Sequence, residues 1–418
     1  HQARGRHSRI RPLNDEGVID VTNRKRIVIS LSAAAVLAVG AGADGWAAAG
    51  SHGHQAGAST QPATLTASSC HGPAGTAYVV VPGYQGFVGV NTANCAIIQT
   101  YNVDDPPVPG DPGDYNYTGS APGVALSGSN LWFAVAASDN VALIDSATLT
   151  PSNYNPAETL IPVGYMPAAL AATPDGSQVW VVDSGPQTST SPLWGVSIIG
   201  TSTNTVTGHF NLVGDPTDVA FSPNGEQAYV TTSNGLYIYN VANHRQTGFI
   251  PGLGSPKSVA VSPDGSSLYV TETSDAELAT ISTATDQVVH TTRVGQDPWQ
   301  AAVSADGSTV YVANPDSDSI SVIDAATAKV QNTYDVSGVP DTLSLTPDGT
   351  QLWVGGDDSG IMTVINTSTG HRVGSTNLGG DGANSGDGEN PTDVVLTTTP
   401  IPGSSSATPY KMNPAAHR

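Results

Sequence analysis

Carboxylates dominate the chemistry that this chain can offer. Two runs are densest, Asp104-Asp-Pro-Pro-Val-Pro-Gly-Asp-Pro-Gly-Asp114 and Gly379-Gly-Asp-Gly-Ala-Asn-Ser-Gly-Asp-Gly-Glu389. A hard cation such as Ca²⁺ takes six to eight oxygens from carboxylates and backbone carbonyls. Asp104, Asp105, Asp111, Asp114, Asp381, Asp387 and Glu389 are therefore the candidate calcium ligands, although neither run has the spacing of a defined calcium loop. Asp215, Asp297, Asp341 and Glu389 form a second set, the acids and bases of a hydrolase built from carboxylates alone. Tyr165, Trp194 and Trp299 add aromatic surface that a basic or amine-bearing partner could use. Plain solvation of a repeat protein explains the same charges without any ligand.

Other reaction classes lack their residues. The chain has no Gly-x-Ser-x-Gly elbow, no Cys-x-x-Cys-His haem site and no cysteine placed as a nucleophile. His209, His244, His290 and His371 are spread over segments expected on outer strands or their turns, where no two would converge. The balance leans away from catalysis. Of the 14 Lys and Arg, seven lie at or before Arg26 and two in the tail, which leaves five bases against 31 acids from residue 70 to residue 400. A body of about −26 repels nucleic acid and anionic membranes and favours cations or basic partners.

The ends read as processing and linker segments. Arg24-Lys-Arg26, the apolar stretch 27–43 and Trp46-Ala-Ala-Ala-Gly50 are the parts of a secretory signal over residues 21–49, with cleavage expected after Ala49. An uncleaved N-terminal anchor is the alternative. Residues 1–20 are expected to be a non-structural extension, 50–73 a linker, 74–400 the folded body and 401–418 a disordered Pro/Ser-rich tail. For an exported chain, Cys70 and Cys95 read as one disulfide that ties down the start of the fold. The expected setting is secreted or cell-surface, and the expected state is a monomer.

The elements that must position these residues repeat. Each unit runs through a Gly turn, a Pro, a short apolar strand, Ser/Thr-Pro-Asp-Gly, an aromatic strand and an alternating apolar strand that ends near Asp or Asn. Tyr78, Trp132, Trp180, Tyr229, Tyr269, Tyr311 and Trp353 occupy one recurring place. Seven aromatics imply seven second strands, and period-2 alternation within about 40–45 residues is the mark of a four-stranded blade. The first unit lacks its innermost strand, while Pro391-Thr-Asp-Val-Val-Leu-Thr397 is an innermost strand with nothing after it. Pairing the two closes an all-β, seven-bladed β-propeller and removes both open edges. The Asp-Gly and Asn-Gly pairs of the turns are expected to supply positive φ to two-residue hairpins. Blade 2, with Ser127-Gly-Ser-Asn130, departs from that pattern.

The runs Val310-Tyr-Val-Ala-Asn314 and Leu268-Tyr-Val-Thr-Glu272, with the Ser-Pro-Asp-Gly turns, resemble the YVTN-type β-propeller repeat of bacterial and archaeal surface or periplasmic proteins. The resemblance covers about residues 74–398. It implies the fold and leaves the task open, since that family includes surface-layer modules and related propellers include lactonases and lyases. In a blade, the loops from strand 4 to the next strand 1 and from strand 2 to strand 3 share one face. That rule places 19 of the 31 acids around one channel mouth. Two functions follow as expectations: a binding scaffold whose acidic face takes Ca²⁺ or a basic partner, or a lactonase-like hydrolase at the same mouth.

Overall fold

The computed structural model describes residues 74–81, 86–102, 123–149, 158–185, 194–336, 338–356, 360–378 and 393–397. These form 28 strands in seven antiparallel sheets of four, arranged in a ring as a seven-bladed β-propeller. The innermost strands are Val124–Ser127 (β4), Pro167–Ala172 (β8), Pro216–Phe221 (β12), Pro256–Val261 (β16), Ala301–Val303 (β20), Pro340–Leu345 (β24) and Asp393–Thr397 (β28). Each touches the next around the channel, and β28 touches β4.

Closure follows the expected route. Strand β28 pairs antiparallel with Thr76–Val81 (β1), with Val79 opposite Val394, so the last strand of the fold completes the first blade. β1 is buried along its whole length, and without β28 it would expose an apolar edge. No helix among the described residues is long and apolar enough to cross a membrane.

The seven repeat aromatics are core. Trp132, Trp180 and Trp353 are 0% exposed, and the four tyrosines are 5% or less. Trp180 is the most engaged, meeting Phe210, Phe221, Tyr239 and His244 edge-on at 5.5–6.3 Å. Its Nε1–H donates to Gln178 at 2.9 Å, so the indole buries its apolar body without orphaning its donor.

The Pro-Asp-Gly turns differ from the two-residue hairpins expected of them. In Ser262–Ser267 the Gly265 N–H donates to Ser262 O, and Ser262 N–H donates to Ser267 O, so four residues make the loop. Gly265 has φ 72°, whereas Asp264 stays at negative φ. The aspartate works through its side chain: Asp264 Oδ1 accepts from Ser262 Oγ at 2.6 Å and from Ser266 N–H at 3.0 Å. Asp175, Asn224, Asp306 and Asp348 repeat that bracket. The two-residue connection occurs instead in blade 2, where Ser127 pairs with Asn130 around Gly128 at φ 61°.

Candidate functional site

Sequence periodicity and one backbone device build the channel mouth. In β8, β12, β16 and β24 the ladder register shifts just after the leading proline. Proline has no N–H to pair, so it tolerates the first place of a strand, and a bulge beside it turns the next side chain off the ladder. The bulged positions include Thr217, Lys257 and Asp341, and Trp299 holds the matching place ahead of β20. Four consecutive blades, the fourth to the seventh, thus present Thr, Lys, Trp and Asp to the same opening.

Lys257 and Trp299 meet there. The Lys257 ammonium lies over the Trp299 ring, 4.4 Å from its centroid, and both side chains are half-buried. Asp297 Oδ2 accepts from Trp299 Nε1–H at 3.1 Å, which fixes the ring and puts a carboxylate at its edge. Burial pulls the Lys257 amine below its usual range, while the charges of Asp215, Asp297, Asp218 and Asp341 hold it up. Burial in turn raises Asp215 and Asp297 above the ordinary carboxylate range, with Lys257 opposing it in both. Among the described residues, Lys257 makes no ion pair within 4 Å and no side-chain hydrogen bond. Asp215 Oδ1 is buried and has no hydrogen-bond partner among the described residues.

Of the four proposed hydrolase carboxylates, Asp215, Asp297 and Asp341 thus gather around one lysine, and Glu389 lies outside the described residues. Asp104, Asp105, Asp111, Asp114, Asp381 and Asp387, and with them the two candidate calcium runs, also lie outside the described residues. No group of three or more His, Cys, Asp or Glu suited to a metal occurs among the described residues. Tyr165, 44% exposed, and Trp194, half-buried at the start of Trp194–Gly200 (β10), belong to the third blade, three blades from Trp299. Cys95 is buried at φ 55° after Gly86–Asn91 (β2), and Cys70 lies outside the described residues.

Deeper in the channel, polar side chains clasp neighbouring blades. Asp218 accepts from Val219 N–H at 2.7 Å and from Val259 N–H of the next blade at 3.0 Å. Asp393 does the same with Val394 and Val124, both at 2.8 Å. Gln300 Oε1 accepts from Leu343 N–H at 2.7 Å and Thr342 Oγ1 at 2.9 Å. These residues escaped the sequence reading, yet a signal was present: Pro216-Thr-Asp-Val219 recurs unchanged as Pro391-Thr-Asp-Val394.

A third polar group sits in the third blade. Asp183 is 0% exposed and accepts from Ser197 Oγ at 2.7 Å, with His209 Nδ1 at 3.8 Å. Ser197 Oγ in turn accepts from Gly164 N–H at 3.0 Å. The arrangement is the repeat's own, since Asn314 and Ser321 pair in the sixth blade at 3.0 Å. Ser197 Oγ donates directly to the buried aspartate, and His209 Nδ1 lies 3.5 Å from that oxygen, so the imidazole does not stand between serine and aspartate as it does in a serine triad.

The buried carboxyls give the fold a pH signature. Burial raises Asp183 to about 7 and Asp218 and Asp393 to about 6. A carboxyl that binds its proton more tightly folded than unfolded adds stability that is full below about pH 4 and lost as pH rises through 6–7. The hairpin carboxylates Asp264 and Asp306, held down to about 2 by their hydrogen bonds, act oppositely and weaken the fold as pH falls through that value. Thermal midpoints should therefore rise from pH 8 to pH 5 and fall again below about pH 3. Asp183 alone contributes at most about 4 kcal/mol, since each tenfold gain in proton affinity is worth about 1.4 kcal/mol. D183N should flatten the limb above pH 6. A midpoint that climbs between pH 5 and 8 would contradict this account.

No protein-family model matches the sequence, and no curated protein matches it. Solved structures share its fold. The chain is similar to hydrazine synthase of Kuenenia stuttgartiensis at 19% identity and a TM-score of 0.53, over 63% of this chain and 81% of that one. It is also similar to a functionally unknown protein from Desulfotomaculum acetoxidans at 16% identity and a TM-score of 0.63, over 77% and 98% respectively. At such identities the likeness is one of fold alone.

Proposed function

We propose that this propeller is an exported binding scaffold whose channel mouth takes a cationic side chain of a basic partner. One observation carries the reading: an indole face, edged by a carboxylate and set in the field of three more, already holds an alkylammonium. An aromatic face attracts a cation through its quadrupole, and flanking carboxylates add to the attraction where water is partly excluded. Export by the 21–49 signal, a Cys70–Cys95 bridge and a monomeric state belong to the same proposal. A YVTN-type surface role fits it, because docking needs no reacting group.

Titrating the full chain with a Lys-rich peptide tests the reading. Binding is expected at low salt and should weaken steeply toward 0.5 M, as the screening length drops to a few ångströms. W299A and D297N should each weaken it at least tenfold. No binding at millimolar peptide in low salt, or binding that both variants leave unchanged, overturns the proposal.

A further inference from the structure

Lys257 is the one base that the described residues carry on an innermost strand, and its setting is unusual. The other bases of the folded body are spread elsewhere: Arg245, Arg293, Lys329 and Arg372 lie on outermost strands, Arg245–Pro251 (β15), Gln287–Arg293 (β19), Lys329–Asp335 (β23) and Arg372–Asn377 (β27). At the bulged position of the fourth blade the repeat carries Thr217, which donates to Pro256 O at 3.1 Å and so ties two blades together. Lys257, one blade on, has no such tie. Its contact is the Trp299 face, with four carboxylates near but none within 4 Å.

We infer that Lys257 is a tethered internal occupant of the alkylammonium site, and that a partner's lysine enters by displacing it from Trp299. The inference rests on the binding function proposed above and specifies how that site is regulated. Three features carry it. The ring that would receive the partner's ammonium is covered by the chain's own. A four-carbon stem without a hydrogen bond at its end can swing aside, since a lysine head is a point charge on a flexible arm. Asp215 Oδ1, buried and without a hydrogen-bond partner among the described residues, is an acceptor that the seated Lys257 leaves unused. Exchange of one ammonium for another conserves the charge of the mouth, so neither state leaves the carboxylates uncompensated. A guanidinium also stacks on aromatic faces, so a comparison with an arginine-like ligand measures whether the site distinguishes it from a primary amine.

The probe is 1,5-diaminopentane, with arginine amide as comparison. In the full chain labelled with ¹³C-lysine, the Lys257 ε-methylene signal is expected upfield of ordinary lysine because it lies over the indole. Saturating diamine should return it to the ordinary position. K257T, which installs the residue of the fourth blade, should bind the diamine at least tenfold more tightly than the parent. The double variant K257T/W299A should lose that gain, whereas removal of a repelling charge alone would preserve it. Diamine that binds the parent while the Lys257 signal stays upfield overturns the exchange mechanism and leaves the binding function standing. So does a K257T variant that binds no more tightly. Failure of both parent and K257T to bind any amine overturns the binding function and the exchange together.

Discussion

Removing residues 393–418 is expected to abolish cooperative folding of the monomer, and D393A alone should cost about 2–4 kcal/mol. The truncation removes β28, so β1 loses a five-residue ladder and its buried valines face water. An exposed apolar edge of that kind recruits other chains, and aggregation should accompany the loss. The single substitution acts more locally. The Asp393 carboxylate holds the Val124 N–H of the second blade and the Val394 N–H of its own strand, so it latches the closing strand to the blade beyond it. Alanine leaves those buried donors without their acceptor. Part of the loss is offset, because burial already raises this carboxyl to about 6 and its removal relieves that strain on the ionised form. Urea unfolding followed by tryptophan fluorescence measures both effects. D218A removes the same clasp between the fourth and fifth blades, which are joined directly by chain, and should cost less than D393A. Equal costs would show that the clasp has no special part in closure.

W180A is the core substitution with the largest expected effect, about 3–5 kcal/mol. Trp180 is 0% exposed and joins the third blade to the fourth through Phe210 on one side and Phe221 and Tyr239 on the other. Truncation empties a site whose walls belong to two blades, and the stacked Phe210–Tyr239 pair at 4.4 Å limits how far they can collapse. The thermal midpoint should fall by roughly 5–15 °C. Y269F, which keeps the ring and removes only a hydroxyl, is the control and should change the midpoint by no more than about 2 °C. A loss below about 1 kcal/mol for W180A would mean that the blades are not coupled through this ring.

The sequence made the architecture legible because each blade repeats its constraints. An aromatic every 40–54 residues has to be buried against the neighbouring blade, and its regular place counts the blades without any coordinates. The unmatched first and last strands likewise imply their own pairing. The turns stand where the sequence marks them but with a different geometry. Asp-Gly is compatible with a two-residue hairpin, yet the Ser or Thr before the proline gives the aspartate an acceptor's role that stabilises a longer loop. The bracket is visible in Ser262-Pro-Asp-Gly-Ser266 once the side chain, not the φ angle, is taken as the reason for the aspartate.

The mouth was legible only in part. Asp215, Asp297, Asp341 and Trp299 could be assigned to it because loop order in a blade dictates the face on which each loop emerges. Lys257 was visible at the same repeat position as Trp299, but its contact with that ring was not, since the two are 42 residues apart and belong to different blades. The sequence by itself determined the seven blades and their closure, both of which follow from periodic burial and from strand-by-strand alternation. Only the tertiary structure decided which charges share a field. Curvature of the ring brings side chains from the fourth to the seventh blades around one indole, and it sets Asp218 and Asp393 as clasps between neighbouring blades. Periodicity specifies each blade against its neighbour, whereas side chains that meet across a channel are set by the closed ring as a whole.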